Sequence, residues 1–344
     1  MKLKHLLVFG SLALVGLAGC KKSNGNKPAN KRDTTVYVSG NSQLGAIVWT
    51  NGSVKVLPSP TGFGTTKAIT TSGSDVYIVG SSMLNGGINT AVYWKNNVVT
   101  RLSDGSTDPE LKINAEGNAI AVSGNDVYIA GIISPNGAPN AVYWKNGVLN
   151  NLANAASFSS SEALGIAVNG ANVYVCGNIV KSGRQSQAVY WKNGVLNEIT
   201  DGSAPAYAVA ISVKNNSVHM AYNVYTPNSL AVASYYWKDG ISSQPSNPYA
   251  YTSLNALAVD SARVYLAGNA QMGIQLVPVL WKNNAIETLP TIYTYSKTES
   301  IALIGNNVYV AGWDGEPVYW KNGVLVKLKS PTDYQTSGIS VVAH

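Results

Sequence analysis

A seven-bladed β-propeller is the fold this sequence predicts: an all-β ring of four-stranded antiparallel blades, with the first and last strands sharing one blade. Three observations carry that expectation. A segment of the form AVYWKNG recurs seven times, with tryptophans at Trp49, Trp94, Trp144, Trp191, Trp237, Trp281 and Trp320 spaced 45, 50, 47, 46, 44 and 39 residues apart. That is the period of a propeller blade. The composition, 33 Gly, 20 Tyr and only 12% charged residues, favours strands and tight turns over helices. Finally, the two ends of the repeating region complement each other.

The elements of one unit follow in order along residues 119–152, AIAVSGNDVYIAG, a loop, then AVYWKNGVLNNL. IAV is the first strand and VYxxG the second, joined by turn residues such as Gly124-Asn125-Asp126. The third, VYWK, turns through Asn51-Gly52, Asn146-Gly147, Asn193-Gly194, Asp239-Gly240 or Asn322-Gly323. These pairs favour the positive φ of a type I′ hairpin, and the fourth strand follows at once. IAV and VYW are apolar at successive positions because both faces of a blade meet neighbours. The repeat Trp and Tyr residues are therefore expected in interblade packing.

The repeating region opens on Val36-Tyr37-Val38-Ser39-Gly40, a second strand without a first. It finishes on Ile339-Ser340-Val341-Val342-Ala343, a first strand without a second. Paired, the two complete a seventh blade and remove an exposed sheet edge. The YWKNG run resembles the tryptophan-containing extracellular repeats of uncharacterised bacterial proteins. The resemblance covers residues 36–344 and implies no assigned activity. The repeat lacks the Gly-His and Trp-Asp pairs of WD40 and the double glycine of kelch, so neither family's partners carry over.

Ahead of the repeats stands MKLKHLLVFGSLALVGLAGC. Lys2 and Lys4 form a positive start, an apolar stretch follows, and Leu17-Ala18-Gly19 sets small residues before Cys20. Leu6 to Gly19 is shorter than the roughly 20 residues a membrane helix needs. The run resembles the lipobox of bacterial lipoproteins, which implies a signal peptide over 1–19 and a diacylglyceryl thioether on Cys20. Membrane lipid is then a partner through the acylated Cys20. Residues 20–33 read as a flexible tether and 34–344 as the propeller. Lys21 follows the cysteine where a retention signal often has Asp, so the resemblance implies the outer membrane of the bacterial envelope.

The net charge of +7 does not mark a nucleic-acid binder. Lys2, Lys4, Lys21, Lys22, Lys27, Lys31 and Arg32 lie in or just after the leader, and 17 basic residues balance 17 acidic ones from Asp33 onward. The body offers no basic cluster to track phosphates.

Chemistry is sparse, and no cofactor is expected. Of three histidines, His5 leaves with the leader and His344 is the last residue given. His219 fills the slot of Tyr37, Tyr77, Tyr128, Tyr174, Tyr265 and Tyr309, which reads as structural. Cys176 takes a small buried position with no base in view. The oxygen-rich run from Asp104 to Glu110 lacks the central Gly and distant Glu of an EF-hand, and no zinc spacing occurs. Neither a metal nor a catalytic set is expected. Lys95, Lys145, Lys192, Lys238, Lys282 and Lys321 follow their tryptophans. Two readings stay open for them: solvation of strand ends, the commoner role, or contact with anionic headgroups.

Strand alternation puts the first-to-second and third-to-fourth turns on one side of the disc. The second-to-third and fourth-to-first connections lie on the other. The latter are longer and differ between units, as in 102–118, 131–140 and 242–253, and they hold aromatics outside the repeat, including Phe63, Phe158, Tyr225 and Tyr334. Trp313, Tyr249, Tyr251, Tyr293 and Tyr295 are the candidate partner-binding residues, near the channel mouth. The function expected is a non-catalytic binding or scaffolding module displayed on the envelope for a protein or glycan partner. The alternative is an envelope enzyme acting on glycans at the channel face, which needs paired carboxylates where acidic residues are few and scattered.

Overall fold

The computed structural model describes residues 33–344 except 61, 85–86, 103, 105–112, 136, 153–157, 227–231, 250 and 330–333. The leader, Cys20, the tether and most of the Asp104–Glu110 run lie outside the described residues. Among the described residues, twenty-eight strands form seven four-stranded antiparallel sheets. We number the blades from the one both chain ends share: blade 1, then 63–101, 114–151, 160–198, 206–243, 252–288 and 296–327 as blades 2 to 7. The inner strands pack side by side in an unbroken cycle: Phe63–Ser72, Asn114–Ser123, Ser160–Asn169, Ala206–Lys214, Thr252–Val259, Ser296–Ile304 and Gln335–Ala343, which returns to the first. The fold is a seven-bladed β-propeller.

Blade 1 closes the ring. Gln335–Ala343 pairs antiparallel with Thr34–Ser42, setting Val38 opposite Ile339 and Val36 opposite Val341. Thr34–Ser42 continues through Gly45–Thr50 to Ser53–Val56. The complementary half-blades at the two ends are thus one sheet.

Every blade bends at the same place. The inner strand carries one extra residue against its partner at Lys67, Asn118, Leu164, Val209, Asn255, Glu299 and Ser337. Such a bulge sharpens the local twist and wraps the strand around the axis. It also drives a carbonyl toward the second strand. A Cβ on Gly131 would lie 2.0 Å from the Glu116 carbonyl oxygen and 2.7 Å from the Trp144 ring. That approach leaves no room for a Cβ and accounts for the Gly of VYxxG in six blades. Blade 5 has Tyr222 in the slot instead, stacked on Tyr235 at 5.0 Å. Its Trp237 is 7% exposed, whereas Trp94, Trp144 and Trp320 are fully covered.

The repeat tryptophans are core. The indole N–H groups of Trp49, Trp94, Trp281 and Trp320 donate to the carbonyls of Lys329, Pro58, Ser246 and Pro290. Each carbonyl belongs to the connection arriving from the preceding blade, so the indole fastens the incoming chain. The hairpins adopt positive φ at both central residues, 51° at Asn146 and 82° at Gly147. The first turn residue has a second task. The side-chain oxygens of Asn51, Asn96, Asn146, Asn193, Asp239, Asn283 and Asn322 each accept the N–H opening their blade's second strand, at 2.8 to 2.9 Å.

The inner strands are longer than their apolar cores announce. Residues 102–118 read as a connection, yet Asn114–Ser123 is strand; 131–140 and 242–253 likewise take in ends of Asp126–Ser134, Ile241–Ser243 and Thr252–Val259. Polar residues around the bulge, such as Glu116 and Asn118, break the apolar run while the backbone stays paired.

Removing Gln335–His344 deletes the inner strand of blade 1 and leaves Thr34–Ser42 an open edge. We expect loss of cooperative melting and aggregation; an unchanged melting temperature would contradict closure. Gly131→Ala should cost about 3 kcal/mol by overpacking against backbone. Gly147→Ala meets open space and should cost about 1 kcal/mol for its left-handed backbone. Urea unfolding of both variants measures the order.

Candidate functional site

The two faces of the disc differ in construction. One carries the short turns within blades. The other carries the longer connections, which deliver the chain to each inner strand beside the channel. On this second face, the residue after the VYxxG glycine clasps the next blade. Asn41, Asn178, Asn223 and Asn269 accept the N–H groups of Thr66, Ala208, Leu254 and Thr298 at 2.6 to 2.9 Å. Asn41, Asn178, Asn223 and Asn269 are an interblade clamp that no strand periodicity announces. A signal was present all the same, in Gly-Asn at 40–41, 177–178 and 268–269.

Trp313 occupies that clamp position in blade 7, at the end of Asn307–Asp314. It cannot accept the hydrogen bond, and it is half-buried instead of enclosed. Its ring meets Tyr295 at 6.2 Å in an edge-on contact. Tyr293 lies over Gly315, where an added Cβ would come within 2.5 Å of the tyrosine ring. Tyr293 and Tyr295 are 49% and 55% exposed. Aromatic surface left this open, on a position used elsewhere for structure, needs a reason other than packing.

The segment holding the two tyrosines is anchored at both ends. The buried Asp314 carboxylate accepts the N–H groups of Ile292 and Tyr293 at 2.8 and 3.0 Å and the Ser296 hydroxyl at 2.5 Å. Leu276 bridges to Tyr295, with its N–H on the Thr294 carbonyl at 3.2 Å. Asp314 is thereby committed to shaping the loop. The three rings sit on a rigid support, which lowers the entropy lost when a ligand is held.

The other two candidates lie in the preceding connection. Tyr249 is half-buried and packs against the buried cluster that includes Leu254, Leu257 and Trp281, so part of its side chain supports the disc. Tyr251 is half-buried beside the start of Thr252–Val259. Among the described residues, no ring contact joins Tyr249 or Tyr251 to the Trp313 cluster. The five candidates share the connection face; Trp313 and Tyr295 meet, and Tyr293 lies beside them over Gly315. Tyr334 is 7% exposed and packs on Trp49 at 6.0 Å. Tyr207 was not singled out from the sequence, because it stands inside the inner strand of blade 5. It is 42% exposed and meets Tyr225 edge-on at 5.4 Å. Thr65, Glu116, Glu162, Ser253 and Lys297 hold equivalent places on other inner strands, and none of them is aromatic.

Elsewhere, His219 is buried with Nδ1 2.6 Å from the Tyr236 hydroxyl. Burial, with the nearby Lys238 charge adding to it, pulls its pKa below the ordinary 6.5. Cys176 is fully buried, and desolvation pushes its thiol up to about 12, so no thiolate forms near neutrality. Among the described residues, no cluster of three His, Cys, Asp or Glu side chains can hold a metal. Lys95, Lys145, Lys192 and Lys321 lie over the rings of Tyr77, Tyr128, Tyr174 and Tyr309.

The sequence matches no protein-family model and no curated protein. Solved structures do resemble the disc. A puromycin-hydrolysing peptidase of Mycobacterium tuberculosis matches 77% of this chain with 47% of its own, at 12% identity and a TM-score of 0.53. The acylaminoacyl peptidase of Pyrococcus horikoshii matches 88% with 52% of its own, at 10% identity and a TM-score of 0.52. The chain spans 47% and 52% of these two peptidases. The likeness is one of fold alone.

Two outcomes are expected. Trp313→Asn should leave thermal stability equal or raised, because an Asn there is placed to accept the Thr336 N–H as Asn269 accepts that of Thr298; a large fall in melting temperature would make Trp313 structural. The lowered pKa of His219 means the unfolded chain binds the proton first as pH falls. Its contribution to stability is therefore full above about pH 6.5 and lost as pH falls through the folded-state value. His219→Tyr, which restores the residue of the other blades, should flatten that part of the stability–pH curve, read by urea titration.

Proposed function

We propose that this protein is a non-catalytic binding module, held at the bacterial envelope by an acyl chain on Cys20, that engages a protein or glycan partner through its connection face. One observation carries the reading: Trp313 stands where four other blades place a structural asparagine, and it meets the exposed Tyr295, which with the exposed Tyr293 sits on a pinned loop of the connection face. Tyr and Trp supply rigid apolar area with a polar tip, suited to a sugar ring or to the centre of a protein interface. The nearest buried carboxylate, Asp314, has its oxygens occupied by the loop, which argues against acid–base chemistry there.

The lipid anchor rests on the residues leading to Cys20 and on the shortness of the apolar run before it. The outer membrane is proposed from Lys21 in the following position. Cys20→Ala removes the sulfur that would take the diacylglyceryl group. The variant should move from the detergent phase to the aqueous phase on partitioning, and unchanged retention would refute the anchor.

The partner surface has its own test. A photo-crosslinking residue at Tyr295 should join an envelope protein, or glycan binding should register on a polysaccharide array. Trp313→Ala should then weaken the interaction by roughly 30-fold, as a central aromatic contact of about 2 kcal/mol would. Unchanged affinity on Trp313→Ala and Tyr295→Ala together would show that this face is not the binding surface.

A further inference from the structure

The opposite face also has a chemistry of its own. Six of the seven hairpins joining third to outer strand carry a lysine before the turn, blade 1 having Thr50, and in every one a residue just after the turn opens the outer strand. In five blades the latter is Val98, Val148, Val195, Ile241 or Val324, and these side chains are 66% to 75% exposed. A β-branched residue suits a strand, but exposure at this level calls for a threonine, which is equally branched and polar. Ser53 and Ala285 in the remaining blades show that the slot demands no large aliphatic side chain.

The lysines make the array amphipathic. Lys95 and Lys145 pair with Asp75 and Asp126 at 2.9 and 3.0 Å. Lys192, Lys238, Lys282 and Lys321 are exposed, and among the described residues none of these four forms an ion pair. The body as a whole is charge-balanced, so unpaired cations gathered on one rim leave this face the positive one. Exposed aliphatic tips and ammonium groups on the same hairpins, repeated from blade to blade, match a layer of anionic headgroups over acyl chains.

Topology brings the chain to the same side. Thr34–Ser42 is a second strand, so it starts on the tight-turn face, and residue 33 enters the disc there. A chain anchored at Cys20 therefore enters the disc through this face.

We infer that the tight-turn face is a membrane-docking surface, in which Lys192, Lys238, Lys282 and Lys321 meet anionic lipid headgroups and the exposed Val and Ile side chains enter the interface. This leaves the connection face turned away from the bilayer. The inference extends the proposed anchored module, and it can fail separately from it.

Residues 34–344 hold every described strand and both partners of the closing pair, so the disc can be tested without its anchor. Co-sedimentation with phosphatidylglycerol–phosphatidylcholine vesicles should show adsorption that phosphatidylcholine vesicles lack and that raised salt weakens. Each lysine lost should weaken it about fivefold, so the fourfold Lys→Gln variant loses adsorption and Lys→Glu abolishes it. Val148→Ser with Val195→Ser and Ile241→Ser should also reduce it, while Trp313→Ala and Tyr295→Ala leave it unchanged. No adsorption to anionic vesicles, adsorption indifferent to the lysines, or adsorption lost with the connection-face variants would each overturn the inference. Failure of the anchor would appear only in the Cys20→Ala partitioning, and failure of the partner surface only in crosslinking and array binding.

Discussion

The pairing of Gln335–Ala343 with Thr34–Ser42 is the constraint on which the remaining structure depends. Six blades are each continuous in the chain and pack only on their neighbours. Without the seventh, the inner strands would form an open arc with two exposed sheet edges. Backbone hydrogen bonds across blade 1 convert the arc to a ring, and only a ring gives each inner strand a neighbour on both sides. Val38 and Ile339, opposite one another, are buried with Trp49 and Tyr309, so the closing sheet also joins the core of the adjacent blade.

Closure explains details that otherwise look like ornament. Seven blades around one axis need inner strands that turn, and the bulge supplies the bend. In six blades the strand beside the bulge ends its VYxxG motif in a glycine that lies against an inner-strand carbonyl, at Gly131 under the Trp ring as well. Blade 5 shows the coupling in reverse: with Tyr222 in the glycine slot, Trp237 is less covered and the aromatic stacking is rearranged. The unusual aromatic chemistry of the disc, Tyr207 with Tyr225 and His219 with Tyr236, falls in this same blade.

Much of this was legible in the residues. The seven Trp landmarks, the Asn-Gly hairpins and the complementary half-blades are local patterns, and each depends on chemistry that a few adjacent residues settle. The bulge was not legible, since a single extra residue in a paired strand leaves no periodic trace once Glu116 or Asn118 interrupts the apolar run. The Asn41, Asn178, Asn223 and Asn269 clamps were missed for a related reason: their partners lie in the next blade, 25 to 31 residues away. The face bearing the aromatic candidates followed from strand alternation alone. The meeting of Trp313 with Tyr295 depends on a loop held by Asp314, which no spacing rule reveals. Tyr249 reads as free from sequence because its connection lacks periodicity, yet the core of blade 6 claims part of it.

A disc with two unlike faces follows from the ring. Short turns hold little variety, so whatever they recognise must be repetitive, and a lipid surface is. The connections escape the repeat, and they carry exposed rings, Tyr293 and Tyr295 beside Trp313, that blade architecture does not explain. All of it presumes that the split blade holds as firmly as the continuous ones. Native-state hydrogen exchange on residues 34–344 measures this directly. The account predicts that the amides of Tyr37 and Ser340, which face one another across the closing pair, exchange only through global unfolding, with the protection of Tyr128 and Tyr174 in blades 3 and 4. Exchange of the blade 1 amides through a much smaller local opening, with those of blades 3 and 4 still protected, would contradict it.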